Sequence, residues 1–293
     1  IEEAGVHSGD SACAIPPVKS KNEWIEEIKR QTRVIAETLE VVGLINIQFA
    51  VQNDLVYVLE VNPRASRTVP FVSKATSFPL ARIATALMVG KTFEELGITS
   101  DLEVYYVSVK ESVLPFNRFP GTDPLLGPEM RSTGEVMGTG ASFGEAFYKA
   151  ELGANTPLPV NGVVFISVHD RDKETILPVA KKLSELGIKI TATSGTASFL
   201  WKHGIWCDVL QKIHEGHPNV LDYIENAKID LFINTPLGKE SQIDDYTIRQ
   251  AAIRHGIAYT TTTSAAIAAV EGIEAKLNGH IFVRHLQENP LIY

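Results

Sequence analysis

Cysteine is scarce in this chain: two among 293 residues, Cys13 and Cys207, far apart and without metal-ligand spacing. That excludes a disulfide framework or a cysteine-built zinc site. It fits a reducing, cytoplasmic setting in which both thiols act as small buried hydrophobes. Long apolar runs are missing too. No stretch approaches the roughly 18 residues a bilayer crossing needs, and no basic stretch followed by an apolar one opens the chain, so no membrane partner is expected. Nor is there a basic block. Lys and Arg number 27 against 35 Asp and Glu, a formal charge of -8 spread along the chain, which argues against nucleic acid and confines anion binding to local pockets. Hydrophobic residues at 44% and charged residues at 21% exclude disordered and collagen-like classes. The first residue is Ile1 rather than Met, which reads as a piece of a longer chain. Its length exceeds the usual single domain of roughly 100 to 200 residues, so two domains are expected.

Two regions of different grammar follow one another. Over 21–41, Trp24, Ile28, Ile35 and Leu39 recur at helical spacing among charged residues, predicting an amphipathic helix stopped by Gly43. Two strand-like runs, 44–51 and 56–61, flank the polar Gln52, Asn53 and Asp54 and predict a β-hairpin. A helix fits 79–89. The Pro- and Gly-rich stretch 114–140 reads as connection, and 155–162 as a linker. Beyond it, strands at 163–168, 188–192, near Val209, 229–233, 258–260 and 281–285 alternate with helices at 173–186, 197–203, 220–227, 246–255 and 264–277. Such alternation predicts an α/β fold, a doubly wound parallel sheet whose ligands bind outside the carboxyl ends of the strands.

The densest chemistry lies at Glu60, Asn62, Arg64 and Arg67. Alternate residues of a strand share a face, so Glu60 and Asn62 point one way while Leu59 and Val61 point into the core. Their oxygens suit a hard divalent cation, which takes one or two carboxylates plus nucleotide phosphates. The arginines offer fork-shaped bonds to a phosphate or a small carboxylate-like anion. Gln48 is the matching polar residue of the partner strand. A two-residue loop at Asn53 and Asp54 sets Gln48 opposite Leu59, whereas a loop extended to Leu55 sets it opposite Glu60; a shared metal therefore requires an odd loop. Taken singly, a strand-end Glu is ordinarily solvated and arginines after a proline are ordinarily surface charges. Their joint arrangement with Gln48 makes the site.

The run 60–76, EVNPRASRTVPFVSKAT, with GVHSGDS at 5–11, NIQFA at 46–50, KESVLPF at 110–116 and GTDPLLGPEMRSTGEVMG at 121–138, resembles the large subunit of carbamoyl-phosphate synthase, in its second ATP-grasp half. The resemblance implies that residues 1–100 are the C-terminal portion of a partial ATP-grasp α+β domain, 101–155 a connecting segment, and 156–293 an allosteric domain. It implies phosphorylation of carbamate by ATP to carbamoyl phosphate, for pyrimidine and arginine biosynthesis, alongside a glutaminase small subunit and the remainder of the large subunit. Gln48, Glu60 and Asn62 would ligate Mg2+ or Mn2+ bridging the ATP phosphates, and Arg64 and Arg67 would hold the transferring phosphoryl group or carbamate. Gly5, Val6, His7 and Ser8 would line the nucleotide pocket, with His7 near the reacting phosphates. A metal and arginine cage suffices for phosphoryl transfer without a covalent nucleophile. The lysine-bearing, glycine-rich half of such a fold is absent from these residues, so the chain alone is expected to be inactive.

In the C-terminal region Thr193, Ser194, Gly195 and Thr196 sit between a strand and a helix, where backbone N–H groups and hydroxyls make an anion cradle, although the same wording also serves plain turns and caps. Lys212 adds a charge, and Asn234 with Thr235 ends another strand on the same edge. This region is similar to the methylglyoxal-synthase-like regulatory domain of the same family. That likeness implies an effector site for UMP or an IMP-type nucleotide at Thr193, Thr196, Lys212, Asn234 and Thr235. Pro236 departs from the pattern by replacing a further threonine. Glu2, Asp10, Glu111, Tyr259 and Thr261 match positions that hold ornithine in some members. A rival reading is a free-standing nucleotide-binding regulatory module. A methylglyoxal synthase is disfavoured, because Pro236, Leu237, Gly238 and Lys239 stand where a catalytic aspartate is needed.

Overall fold

The computed structural model describes residues 1–2, 4–100, 104–119, 121–122, 124–235, 242–279, 281–283 and 285–288. Two compact units share the chain: one joins Ile1–Cys13 to Val109–Ile281, and the other is Ala14–Ser108 with the residues from Phe282 onward. The short strand β1 (Cys13–Ile15) is followed in the second unit by α1 (Asn22–Thr38), the hairpin β2 (Asn46–Gln52) and β3 (Leu55–Asn62), α2 (Thr68–Thr76) and α3 (Leu80–Met88). Helix α1 ends before Gly43. Glu40 takes φ 50° and the amide of Val41 reaches back to the carbonyl of Ala36, so a left-handed residue closes the helix without a glycine. Gly43, at φ 104°, instead lets the chain pass Met88, whose Cε would lie 2.4 Å from an added Cβ. Helix α2 was not expected from the sequence; its proline at position 70 lies within the first turn, where a missing N–H costs nothing.

In the first unit β4 (Val107–Val113) is the middle strand of the order β1-β4-β5, with β5 at Gly134–Gly140. The end of the expected connection is therefore a strand. Gly138 and Gly140 in it are packing devices: a Cβ on Gly138 would fall 2.0 Å from the carbonyl of Ala146 in α4 (Phe143–Gly153). The parallel sheet then follows: β6 (Val163–Val168), α5 (Lys173–Glu185), β7 (Lys189–Ala192), α6 (Ser194–Lys202), β8 (Asp208–Val209), α7 (Val220–Glu225), β9 (Leu231–Thr235), α8 (Gln242–Arg254), β10 (Ala258–Thr260) and α9 (Thr263–Asn278). Its order is β10-β9-β6-β7-β8, every pairing parallel. The chain steps outward from β6 on one side, then returns to β6's other side at β9, so the order reverses between β6 and β9. The expected strand at 281–285 is not formed by its described residues; Val283 is 95% exposed and has no ladder to join.

Apolar burial holds this sheet. Phe165 on β6 and Phe232 on β9, both 1% exposed, stack with centroids 4.9 Å apart and join Leu210, Val220, Ile224 and Ile248 in one cluster. Phe232→Ala should destabilise the unit by about 3 to 5 kcal/mol, a cavity cost that denaturant unfolding of the chain would measure.

Candidate functional site

In the hairpin, the turn and the register obey different rules. Gln52 pairs with Leu55, so the loop is the two residues Asn53 and Asp54, both at positive φ as the tight hairpin turn requires. Gln48 nevertheless lies opposite Glu60, because the register shifts between Gln48 and Phe49, which pairs with Val58. Leu59 is the extra residue of a β-bulge. The expected odd loop is therefore replaced by a bulge that supplies the missing residue within the strand. Leu59 is 50% exposed rather than directed into a core, as are its strand neighbours Tyr57 and Val58 at 46% and 42%. Asn46 opposes Asn62, so the polar pairs line one face.

At that face the Asn62 amide donates to Glu60 Oε1 at 2.7 Å, and Arg64 donates to Asn62 Oδ1 at 3.2 Å and to the carbonyl of Ala65 at 3.1 Å. Glu60, Arg64 and Arg67 are exposed and Gln48 is half-buried. Arg67 caps the N-terminus of α2, where free amides and a guanidinium both favour an anion. Among the described residues no three His, Cys, Asp or Glu gather to hold a metal. The donor set here is one carboxylate with amide oxygens, which fits a cation that keeps most ligands from water and phosphate.

His7 belongs to the other unit, within a braced turn. Its amide donates to the carbonyl of Gly127 at 2.8 Å, its Nδ1 accepts from the amide of Gly9 at 3.0 Å, and its carbonyl accepts from Asp10 at 2.9 Å. Asp10 is 1% exposed, and its two oxygens accept the amides of Arg131 and Ser132 at 2.7 and 2.9 Å. The hydroxyls of Ser112 and Ser132 both donate to the carbonyl of Gly9, and buried Lys110 donates to the carbonyl of Ser8 at 3.2 Å. His7 and Ser8 are thus held by Gly127 and Lys110, with the His7 ring itself bracing the turn through Nδ1.

Glu2 and Glu111, from the expected ornithine set, lie in a half-buried acidic group together with Glu151, which the sequence analysis missed. Glu2 accepts the amide of Ala12 at 2.7 Å and Glu111 that of Ser112 at 2.9 Å. Burial raises the carboxyl of Glu2; burial and then the charges of Glu151 and Glu2 hold that of Glu111 well above the usual range. Burial lifts Glu151 to about 7, and its hydrogen bond with Thr156 only partly offsets this. Its place near the C-terminus of α4 disfavours a charge further. Tyr259 lies on β10 and Thr261 follows it; between them Thr260 buries a hydroxyl without a protein partner.

The residues expected to form an effector site converge where the sheet order reverses. Ser167 pairs with Asn234 and Val168 with Thr235, so both strands end together, and Asn234 and Thr235 lie inside β9 rather than after it. Thr235 Oγ1 accepts the amide of His169 at 3.2 Å. Thr193 is the N-cap of α6, which begins at Ser194, so the cradle is the helix N-terminus itself. Thr193 and Thr196 share a hydroxyl bond of 3.3 Å, and Ser167 Oγ stands 3.4 Å from Thr193. Lys173, also missed, reaches the carbonyl of Gly195 at 3.0 Å and brings a cation to the cradle. Its signal was present, a lysine soon after a strand end, but helix periodicity absorbed it. Lys212 is exposed two residues beyond Leu210, whose amide pairs with Ala192 at the end of β7. Pro236, Leu237, Gly238 and Lys239 lie outside the described residues.

Comparison with known proteins agrees with both halves. Residues 3–96 match the family model described as the carbamoyl-phosphate synthase L chain, ATP binding domain, and residues 175–261 match the MGS-like domain. A carbamoyl phosphate synthase large chain of Archaeoglobus fulgidus is 55% identical over 98% of this chain and 27% of its own length. That of Synechocystis is 53% identical over the same shares. One from Methanosarcina barkeri is 50% identical over 95% of this chain and 70% of its own length. The chain thus spans about a quarter of the first two relatives.

The acidic group yields a pH test. Glu151 is protonated in the folded chain where the unfolded chain has already ionised it, so stability present below pH 4.5 is lost as pH rises through about 7. The loss should be roughly 3 kcal/mol, and Glu151→Gln should remove most of that slope in melts run from pH 5 to 8.

Proposed function

Because the chain belongs to the carbamoyl-phosphate synthase large-chain family, we propose that it supplies one half of a carbamate-phosphorylating ATP site and a nucleotide-effector domain. One observation carries the first part: Gln48, Glu60 and Asn62 share a hairpin face, set there by a bulge, with Arg64 directly behind. Gln48, Glu60 and Asn62 would hold Mg2+ or Mn2+, which when bound neutralises charge on the ATP phosphates. Binding requires Asn62 to release one of its present bonds, to Glu60 or to Arg64. Freed from Asn62, Arg64 turns its fork to the transferring phosphoryl group or carbamate, and Arg67 holds the same anion against the N-terminus of α2. Gly5, Val6, His7 and Ser8 line the nucleotide, with the His7 ring kept in place through Nδ1. On this reading, residues 1–100 are the ATP-grasp portion, 101–155 the connection and 156–293 the effector domain.

The remainder of the large subunit supplies the other wall of the ATP site, and a glutaminase small subunit supplies ammonia. Supporting this, Leu55, Tyr57, Val58, Leu59, Val89 and Phe93 of the second unit are exposed, more apolar surface than a finished domain leaves in water. No helix among the described residues is long and apolar enough to cross a membrane, and the setting we infer is the cytoplasm. The effector crevice takes a nucleotide monophosphate of the UMP or IMP type, its phosphate on Thr193, Thr196, Lys173, Lys212, Asn234 and Thr235. Glu2, Glu111 and Glu151 suit a cation such as ornithine, with Tyr259 and Thr261, on and after β10, as the further members of that set. Asp10 serves that set as a brace, its oxygens being engaged by amides.

In the complete large subunit, Glu60→Gln should lower ATP-dependent carbamoyl phosphate formation by about 100-fold or more, while the isolated chain shows no turnover. Activity restored by adding the preceding half of the subunit favours this reading over a free-standing regulatory module. For the effector, Lys173→Ala should weaken UMP binding by roughly tenfold in calorimetry. Unchanged affinity would remove Lys173 from the site.

A further inference from the structure

The segment between β4 and β5 is bound at two places, and both bonds go to residues that matter. At Gly121 and Thr122 the backbone is taken by the side chains of α8. Tyr246 donates its hydroxyl to the carbonyl of Gly121 at 2.7 Å, Gln250 Oε1 accepts the amide of Gly121 at 3.3 Å, and Gln250 Nε2 donates to the carbonyl of Thr122. Tyr246 and Gln250 stand four residues apart on one helix face, so they act as a two-pronged clamp. Gly121 has φ 88°, a conformation only glycine adopts without strain, which fixes the shape presented to the clamp. Five residues beyond Thr122, the carbonyl of Gly127 receives the amide of His7 at 2.8 Å, and soon after it Arg131 and Ser132 bind Asp10.

Helix α8 is the next regular element after Asn234 and Thr235. One end of this strap is therefore tied to the helix that follows the effector strand, and the other to the turn that carries His7. Three polar groups of two consecutive residues are engaged by the helix, so a shift of α8 by the 1 to 2 Å typical of switching helices, about the reach of a hydrogen bond, moves the strap or breaks it. We propose that Tyr246 and Gln250 are positioning residues that relay occupancy of the effector crevice to the Gly5–Ser8 turn. This rests on the functional reading given above for both ends. Coupling of this kind is reciprocal, so ATP at the turn also alters effector affinity.

The test uses the complete large subunit carrying this chain, with UMP and IMP as probes. In the double variant Tyr246→Phe, Gln250→Ala, the effector-induced change in KM for ATP should shrink by about threefold or more, with basal kcat and UMP affinity by calorimetry each held within about twofold. Amide exchange at His7 and Asp10 should speed up by about tenfold in the same variant. Unaltered exchange overturns the proposal whichever nucleotide acts, and faster exchange with a full effector response overturns the relay. A wild-type subunit that ignores both nucleotides would instead refute the effector reading, leaving the positioning of the turn to be judged on exchange alone. If the double variant fails to fold, Tyr246→Phe, which removes one hydroxyl, carries both measurements.

Discussion

The parallel pairing of β6 with β9 is the constraint on which the MGS-like part of the chain rests. It buries the Phe165–Phe232 stack in the middle of the sheet and ends both strands at the same level, Ser167 beside Asn234 and Val168 beside Thr235. With β7 on β6's far side, Thr193 and the start of α6 come to the same edge. The apolar interior and the polar rim are thus two ends of one ladder. A register slip of one residue would separate Phe165 from Phe232 and part the polar ends of the two strands, so packing of the stack fixes where those ends lie.

Much of this was legible in the chain, because parallel strands and their crossover helices have strong, distinct periodicities. Strands at 163–168 and 258–260 and the helix from position 173 were recovered almost to the residue. The less legible features depended on partners distant in sequence. Leu59 reads as one apolar member of an alternating strand, and nothing local marks it as a bulge; only pairing with β2 shows two residues facing one. Gly138 and Gly140 read as loop residues until α4 is seen to lie where their side chains would be. The run at 281–285 has strand composition, but composition does not provide a neighbour to pair with.

The candidate site shows the same division. Glu60, Asn62 and Arg64 are visible by spacing, since alternation along one strand is local. Lys173 and Glu151 are not, because each sits on an amphipathic helix whose pattern accounts for it without a ligand. Glu151 becomes unusual only when α4 packs it near Glu2 and Glu111, and burial then shifts its proton equilibrium. Asp10, placed in the ornithine set by resemblance, has a structural part that only the fold shows: its two oxygens accept the amides of Arg131 and Ser132.

Those braces connect positions 121 and 122 residues apart in the chain, with the whole second unit threaded between. During synthesis the Gly5–Ser11 turn leaves the ribosome with none of its clasping partners. At roughly 5 to 20 residues per second, Arg131 and Ser132 follow it some 6 to 24 seconds later. Closing so long a loop is entropically slow, and folding of the intervening hairpin and helices shortens it first. The Gly5–Ser11 turn therefore takes its shape only after the strands and loop that follow the second unit have been made, which ties its geometry to completion of that later part of the chain.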